Sequence, residues 1–198
     1  MPIKDQIKNL AKKLVEDHPD AATLRALVRA RKPTAIRFQD DGIVPNNPHF
    51  PVLLYRGAVN LKTRRFAPEV IVDSLFDSHG WGRSWRDTVY DFVHYHSQIH
   101  EVMGVARGTA RIECGGIKGR ILSVKAGDVL VLPAGTGHRL IESSRDFLVV
   151  GAYPQEGRMT SAPTRESVLT PANASPRSVS RRPIPCWVPA ARCSNHGG

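Results

Sequence analysis

Residues 94–108 read HYHSQIHEVMGVARG, and residues 127–138 read GDVLVLPAGTGH. Half of the eight histidines of the chain lie between His94 and His138, within a region of short apolar runs. Alternate residues of a β-strand point to the same side, so a strand near 89–96 would present the imidazoles of His94 and His96 together. A short turn then brings Glu101 back at the start of the next strand, and His138 arrives from a later hairpin. These four side chains are the predicted metal ligands.

Nitrogen and carboxylate donors that converge in this way are typical of divalent first-row metal sites with open positions. The cofactor is therefore predicted as one divalent transition metal: Fe, Mn, Ni, Co, Cu or Zn. In the alternative interpretation, His94, His96 and His138 are buried histidines bonded to backbone carbonyls. His100 is offset by one residue from Glu101, so its side chain is expected to point to the opposite side of that strand, away from the metal.

Outward from this cluster, the chain divides by composition into three parts. Residues 1–34 have helical periodicity, with Asp20 placed to cap a second helix, and form a predicted helical extension. Residues 35–155 carry short β-branched and apolar runs separated by Gly, Pro, Asn and Asp, which predicts an all-β domain with one helix near Phe66–Leu75. Residues 156–198 are rich in Pro, Ser, Ala and Arg without periodicity, which predicts a disordered basic tail.

The net charge of +10 raises the question of nucleic-acid binding. Residues 35–155 carry fourteen Lys and Arg against twelve Asp and Glu, so most of the excess lies in residues 1–34 and 156–198. These two ends lack the interleaved aromatic residues that stack on bases, which argues against a nucleic-acid partner. The three cysteines are too few for a disulfide framework, and no apolar run is long enough to cross a membrane. We expect a cytoplasmic protein without a membrane partner.

The motif spacing resembles the cupin superfamily. Its first motif, G-x5-H-x-H-x3-4-E-x6-G, is matched by His94, His96, Glu101 and Gly108, and its second, G-x5-P-x-G-x2-H-x3-N, is matched from Gly127 to His138. Two positions depart from the motifs: Thr88 replaces the leading Gly, and Glu142 replaces the final Asn. Neither binds metal in the family. The wider pattern, PNNP before FPVLLY and VVGAYP near the end of the domain, resembles the YjlB-like branch of uncharacterised cupins over residues 38–154.

The resemblance implies a double-stranded β-helix, or jelly-roll barrel, and a homodimer. It also implies that the metal is held by His94, His96, Glu101 and His138, beside a small-molecule ligand in the barrel. Cupins with this ligand set include dioxygenases, decarboxylases and isomerases, and the sequence does not choose among these reactions. The alternative function is a cupin that binds or senses a small molecule or a metal without catalysis. No catalytic acid or base beyond the ligands is identified.

Overall fold

The computed structural model describes residues 18–155. Two α-helices lie in this range, α1 at Ala21–Leu27 and α2 at Pro68–Asp77. The Asp20 side chain accepts a hydrogen bond from the Thr23 N–H at 2.8 Å, so it caps α1 as its sequence position predicts. The helix predicted near Phe66–Leu75 is confirmed as α2, shifted by two residues.

Nine β-strands in this described range form two sheets, which confirms the predicted all-β jelly-roll class. The larger sheet has the strand order β1-β2-β7-β4-β9-β3, and the smaller sheet has the order β6-β5-β8. Every pairing within the two sheets is antiparallel. The strands are Thr34–Ile36 (β1), Val52–Tyr55 (β2), Trp81–Asp87 (β3), Glu101–Arg107 (β4), Thr109–Cys114 (β5), Arg120–Lys125 (β6), Val129–Leu132 (β7), His138–Ser143 (β8) and Leu148–Pro154 (β9).

The predicted strand near 89–96 is wrong. The strand before the histidines is β3, and residues 88–100 contain only one isolated bridge, between His94 and His138. The Leu140 N–H donates to the Tyr90 carbonyl, but His94 pairs with His138, and these two pairings do not fit a single antiparallel register. A continuous ladder therefore cannot form, and His94 and His96 lie on an irregular segment rather than on a strand.

The core consists of two apolar clusters on either side of the larger sheet. The outer cluster packs α2 against that sheet, where a Cβ added at Gly104 would lie 2.5 Å from the Val72 side chain. The inner cluster fills the space between the two sheets and includes Met103, Val105 and Val149. Met103 and Val105 are in phase with Glu101 along β4, so Glu101 points to the barrel interior, as expected from its sequence position.

A buried carboxylate secures the connection from β6 to β7. Asp128 is fully buried and accepts hydrogen bonds from the Gly57 N–H at 2.7 Å, the Lys125 N–H at 3.1 Å and Arg56 Nη1 at 3.1 Å. Gly127, one residue earlier, has a φ of +91°, and a Cβ there would lie 2.6 Å from a backbone carbonyl oxygen. This turn fixes the start of β7, which leads directly to the loop before His138.

Two of the predicted segments fall outside the described residues: the first helix, within residues 1–17, and the tail, 156–198. The domain boundaries at 34/35 and 155/156 stay predictions. Within residues 18–155, no helix is long and apolar enough to span a bilayer.

Candidate metal centre

The structure brings together all four predicted ligands at one end of the barrel. Glu101 opens β4, His138 opens β8, and His94 and His96 reach them from the irregular segment. His94 and His138 are joined through their backbones, with N···O distances of 3.2 and 2.9 Å, and their ring centroids are 4.1 Å apart. The Gly135 N–H donates to the His96 carbonyl at 2.7 Å. These backbone bonds replace the predicted strand as the reason the imidazoles converge.

Two histidine nitrogens point to one carboxylate oxygen. The Nε2 atoms of His96 and His138 lie 3.6 and 3.4 Å from Glu101 Oε2. The Glu101 side chain is 3% exposed, and Oε2 has no well-formed hydrogen bond within the described chain. A buried carboxylate oxygen without a hydrogen-bond partner is costly unless another group, such as a cation, compensates for it.

The second ring nitrogens of His94 and His138 are bonded to backbone oxygens. His94 Nδ1 lies 3.2 Å from the Phe92 carbonyl, and His138 Nδ1 lies 3.1 Å from the Thr136 carbonyl. A carbonyl only accepts, so each Nδ1 carries a proton, and in the neutral form of each ring the Nε2 keeps its lone pair. These are the bonds to backbone carbonyls expected if the histidines were simply buried residues. They still leave a nitrogen on each ring that can bind a metal, and histidine ligands are usually oriented in this way.

The electrostatics of the four groups are strongly coupled. Burial and the neighbouring His138 lower the pKa of His94 to about 3, so its imidazole is neutral near pH 7. Burial opposes charge on both His96 and Glu101, but their mutual attraction outweighs it, raising the pKa of His96 and holding that of Glu101 well below its usual range. Glu101 is therefore ionised, and the site contains one negative charge facing imidazole nitrogens.

His100 bonds to the backbone of the loop that leads to His138. It is 2% exposed, and its Nδ1 accepts a hydrogen bond from the Ala134 N–H at 3.0 Å. The Asn47 side chain donates to the Ala134 carbonyl at 3.0 Å from the other side. Both polar groups of the Ala134 backbone are thus held by side chains, which fixes the loop that leads to His138.

The same loop is also held by Asn46. Its side-chain oxygen lies 3.4 Å from the Gly137 N–H, and its amide group donates to the Gly115 carbonyl at 3.1 Å. Asn46 is 1% exposed. The segment PNNP, which the sequence comparison noted only as part of a wider pattern, therefore supports the loop that carries His138.

Three aromatic residues near the ligands were not predicted from the sequence. The Tyr153 ring packs edge-on against His96, with centroids 5.3 Å apart. Tyr90 and Phe92 stack on each other at 4.9 Å and contact the His94 ring, and they are 53% and 40% exposed. They form an aromatic rim beside the histidines.

The four predicted ligands do not form a ready-made coordination shell. Among residues 18–155, no group of three or more His, Cys, Asp or Glu side chains has the arrangement expected around a metal ion. Two surface clefts, of about 630 and 350 Å³, lie elsewhere, on the side of the smaller sheet and between its edge and β1. The donor set still fits a divalent cation, because Glu101 Oε2, which has no hydrogen-bond partner among residues 18–155, lies 3.6 and 3.4 Å from the Nε2 atoms of His96 and His138.

Comparison with known proteins identifies a close relative in sequence. The chain is 44% identical over 117 residues to YjlB of Bacillus subtilis (strain 168), an alignment covering 59% of this chain and 67% of that protein. No protein-family model matches the chain.

Among solved structures, similarity is weaker. An acireductone dioxygenase from Bacillus anthracis, with a cadmium ion in its active centre, is 14% identical with a TM-score of 0.38, covering 53% of this chain and 79% of that one. A cupin protein from Bacteroides fragilis is 20% identical with a TM-score of 0.32, covering 44% and 79%.

Proposed function

Since the chain belongs to the YjlB-like branch of the cupin superfamily, we propose that it binds one divalent transition metal through His94, His96, Glu101 and His138. The observation that carries this proposal is the buried Glu101 Oε2, which lacks a hydrogen-bond partner and faces the Nε2 atoms of His96 and His138. A cation there would compensate the carboxylate charge and use the free nitrogen lone pairs.

We further propose that the metal serves a small polar organic molecule, with dioxygenase-, decarboxylase- or isomerase-type chemistry. When bound, a divalent metal with open positions supplies Lewis acidity or, for a redox metal, electron transfer. The residues of the chain supply the surroundings: Tyr90 and Phe92 offer exposed aromatic surface next to His94, where an organic ligand would approach.

Metal binding competes with a proton on His96. Glu101 raises the pKa of His96, so the metal-free site holds that proton more tightly than an isolated imidazole does. A metal must displace it, since only the neutral imidazole is a ligand. Metal affinity is therefore expected to fall as the pH drops through the raised pKa of His96.

A non-catalytic cupin that binds or senses a small molecule or a metal is the second candidate function. Turnover assays across small carboxylates, sugars and thiols with the metal-loaded protein separate the two candidates. Homodimer formation and location in the cytoplasm are part of the proposal, and sedimentation of the purified protein tests the first.

The test of the metal site is elemental analysis of the purified protein and of His96→Ala. We expect about one metal ion per wild-type chain and a loss of most of it in the variant. Asp146→Ala removes an exposed acidic side chain that is not among the proposed ligands and serves as the control, which should keep its metal. Full occupancy in His96→Ala would contradict the assignment.

A further inference from the structure

Tyr153 lies opposite Glu101 on the neighbouring strand. β4 and β9 are antiparallel, with Val102 paired to Ala152 and Met103 paired to Gly151. Continuing this register by one residue pairs Glu101 with Tyr153. Cross-strand partners have Cβ atoms about 4.5–5.5 Å apart and point to the same side of the sheet, so the Tyr153 side chain enters the barrel interior beside the carboxylate.

The phenol of Tyr153 contacts two of the proposed ligands. Its ring packs edge-on against His96, with centroids 5.3 Å apart and planes at 78°. Burial raises the pKa of Tyr153, and the nearby Glu101 carboxylate raises it further, in agreement with the placement of the phenol beside this carboxylate. Glu101 Oε2 itself has no hydrogen-bond partner in the described chain. The phenol therefore does not satisfy Oε2, the oxygen that faces His96 and His138.

Trp85 approaches the phenol from β3. Trp85 is paired with Gly151, and a Cβ added at Gly151 would lie 2.1–2.4 Å from three indole atoms. The missing side chain at Gly151 lets the indole lie across β9 next to Tyr153. The indole N–H of Trp85 lowers the pKa of Tyr153, in opposition to burial and to Glu101, which raise it. Within residues 18–155, Trp85 Nε1 is buried and has no hydrogen-bond partner, so the indole does not form a full hydrogen bond with the phenol.

We propose that Tyr153 is a positioning residue for the metal centre, which orients the Glu101 carboxylate so that Oε2 faces the histidine nitrogens. This inference rests on the proposed metal site. In this role the phenol hydroxyl donates its single proton to the Glu101 oxygen that does not face the histidines. A carboxylate held at one oxygen keeps the second oxygen available for a cation, and loss of such a partner typically weakens metal affinity about 10- to 100-fold.

A packing role alone makes a different prediction. If Tyr153 only fills space between Trp85 and His96, Tyr153→Phe preserves the ring and changes nothing at the metal. The hydroxyl is the atom that distinguishes the two roles. Tyr95 offers the matched control, because it is also buried, lies between His94 and His96 in the chain, and has Asp40 rather than Glu101 as its charged neighbour.

The experiment titrates Co²⁺ into chelator-stripped wild-type protein, Tyr153→Phe and Tyr95→Phe, and follows affinity by calorimetry and ligand geometry by the visible absorption of the bound ion. Tyr153→Phe should bind Co²⁺ roughly 10-fold more weakly, with an altered visible spectrum. Tyr95→Phe should match the wild-type protein in both readouts. Circular dichroism and the unfolding midpoint confirm that each variant is folded.

The possible outcomes distinguish a failure of the inference about Tyr153 from a failure of the proposed metal site. Wild-type protein that binds no Co²⁺ overturns the metal site and the role of Tyr153 with it. Wild-type binding with an unchanged affinity and spectrum in Tyr153→Phe overturns the role of Tyr153 alone. Complete loss of binding in Tyr153→Phe would make the phenol a ligand rather than a positioning residue, and an equal effect of Tyr95→Phe would show that the hydroxyl acts through general packing.

Discussion

Replacing His100 with Ala separates a residue that supports the fold from the residues that hold the metal. His100 is 2% exposed, its Nδ1 accepts from the Ala134 N–H at 3.0 Å, and its ring meets Phe50 edge-on at 5.9 Å. None of these contacts involves a predicted ligand. His100→Ala is therefore expected to keep one metal ion per chain and to lose stability, whereas His94→Ala should lose the metal.

The size of the stability loss follows from two contributions. Leaving the buried Ala134 N–H without an acceptor costs about 1–3 kcal/mol. Deleting a buried ring beside Phe50 adds a cavity cost, which for large apolar side chains reaches about 2–5 kcal/mol and is smaller for an imidazole. We expect a total of about 3 kcal/mol, or a midpoint lowered by roughly 6–12 °C for a chain of this size.

Urea unfolding in the presence of a chelator measures the free energy of unfolding of the metal-free proteins, and elemental analysis measures the metal. His94→Ala should lose less metal-free stability than His100→Ala, because the His94 ring contacts the partly exposed Tyr90 and Phe92. If His100→Ala loses its metal while His94→Ala retains it, the ligand list is wrong. A loss below about 1 kcal/mol in His100→Ala would show that the bond to Ala134 contributes little.

Two further substitutions test the packing that positions the site. Asp128→Ala removes the acceptor of three hydrogen bonds at a fully buried site and should lower the free energy of unfolding by about 3–5 kcal/mol. Its control, Glu142→Ala, breaks an ion pair with Arg111 in which both side chains are exposed, and should change that free energy by under about 1 kcal/mol. Equal effects of the two variants in urea titrations would refute the comparison. Gly151→Ala forces the Trp85 indole to move, so we expect the free energy of unfolding to fall by about 1–3 kcal/mol and the tryptophan fluorescence to change. An unchanged emission spectrum would show that the indole does not lie across β9.

The convergence of the four proposed ligands could be predicted from the sequence because the spacing within each motif is local. Glu101 begins a strand with apolar residues in phase, and His138 follows a Gly- and Pro-containing loop at a fixed offset from β7. The geometry of His94 and His96 was predicted for a wrong reason. Their segment is not a strand, and backbone bonds to His138 and Gly135 bring the imidazoles together.

Other parts of the site depend on pairings that no local pattern contains. Tyr153 matters because β9 lies beside β4, and Trp85 matters because β3 lies beside β9. β3 was not predicted from the sequence, because its residues, WGRSWRD, place charged residues and a glycine among two tryptophans and show no regular apolar alternation. Its pairing with β9 also shifts register between Gly82 and Trp85. The sequence signal for the position of Tyr153 is its spacing of two residues from Gly151, which places both residues on the interior-facing side of β9.

The two asparagines of the PNNP segment bear on how the chain folds. Asn47 is bonded to Ala134 across 87 positions, and Asn46 approaches Gly137 across 91. Contacts between such distant residues require closing most of the barrel, and the entropy lost in that closure is regained only when the contacts form. We therefore expect the loop that carries His138 to reach its final geometry late in folding, together with the closed barrel. In contrast to small domains in which a few nearby ligands gather a metal and organise the chain around it, we expect this barrel to close before the proposed site can bind a metal, so that a bound ion would report that folding is complete.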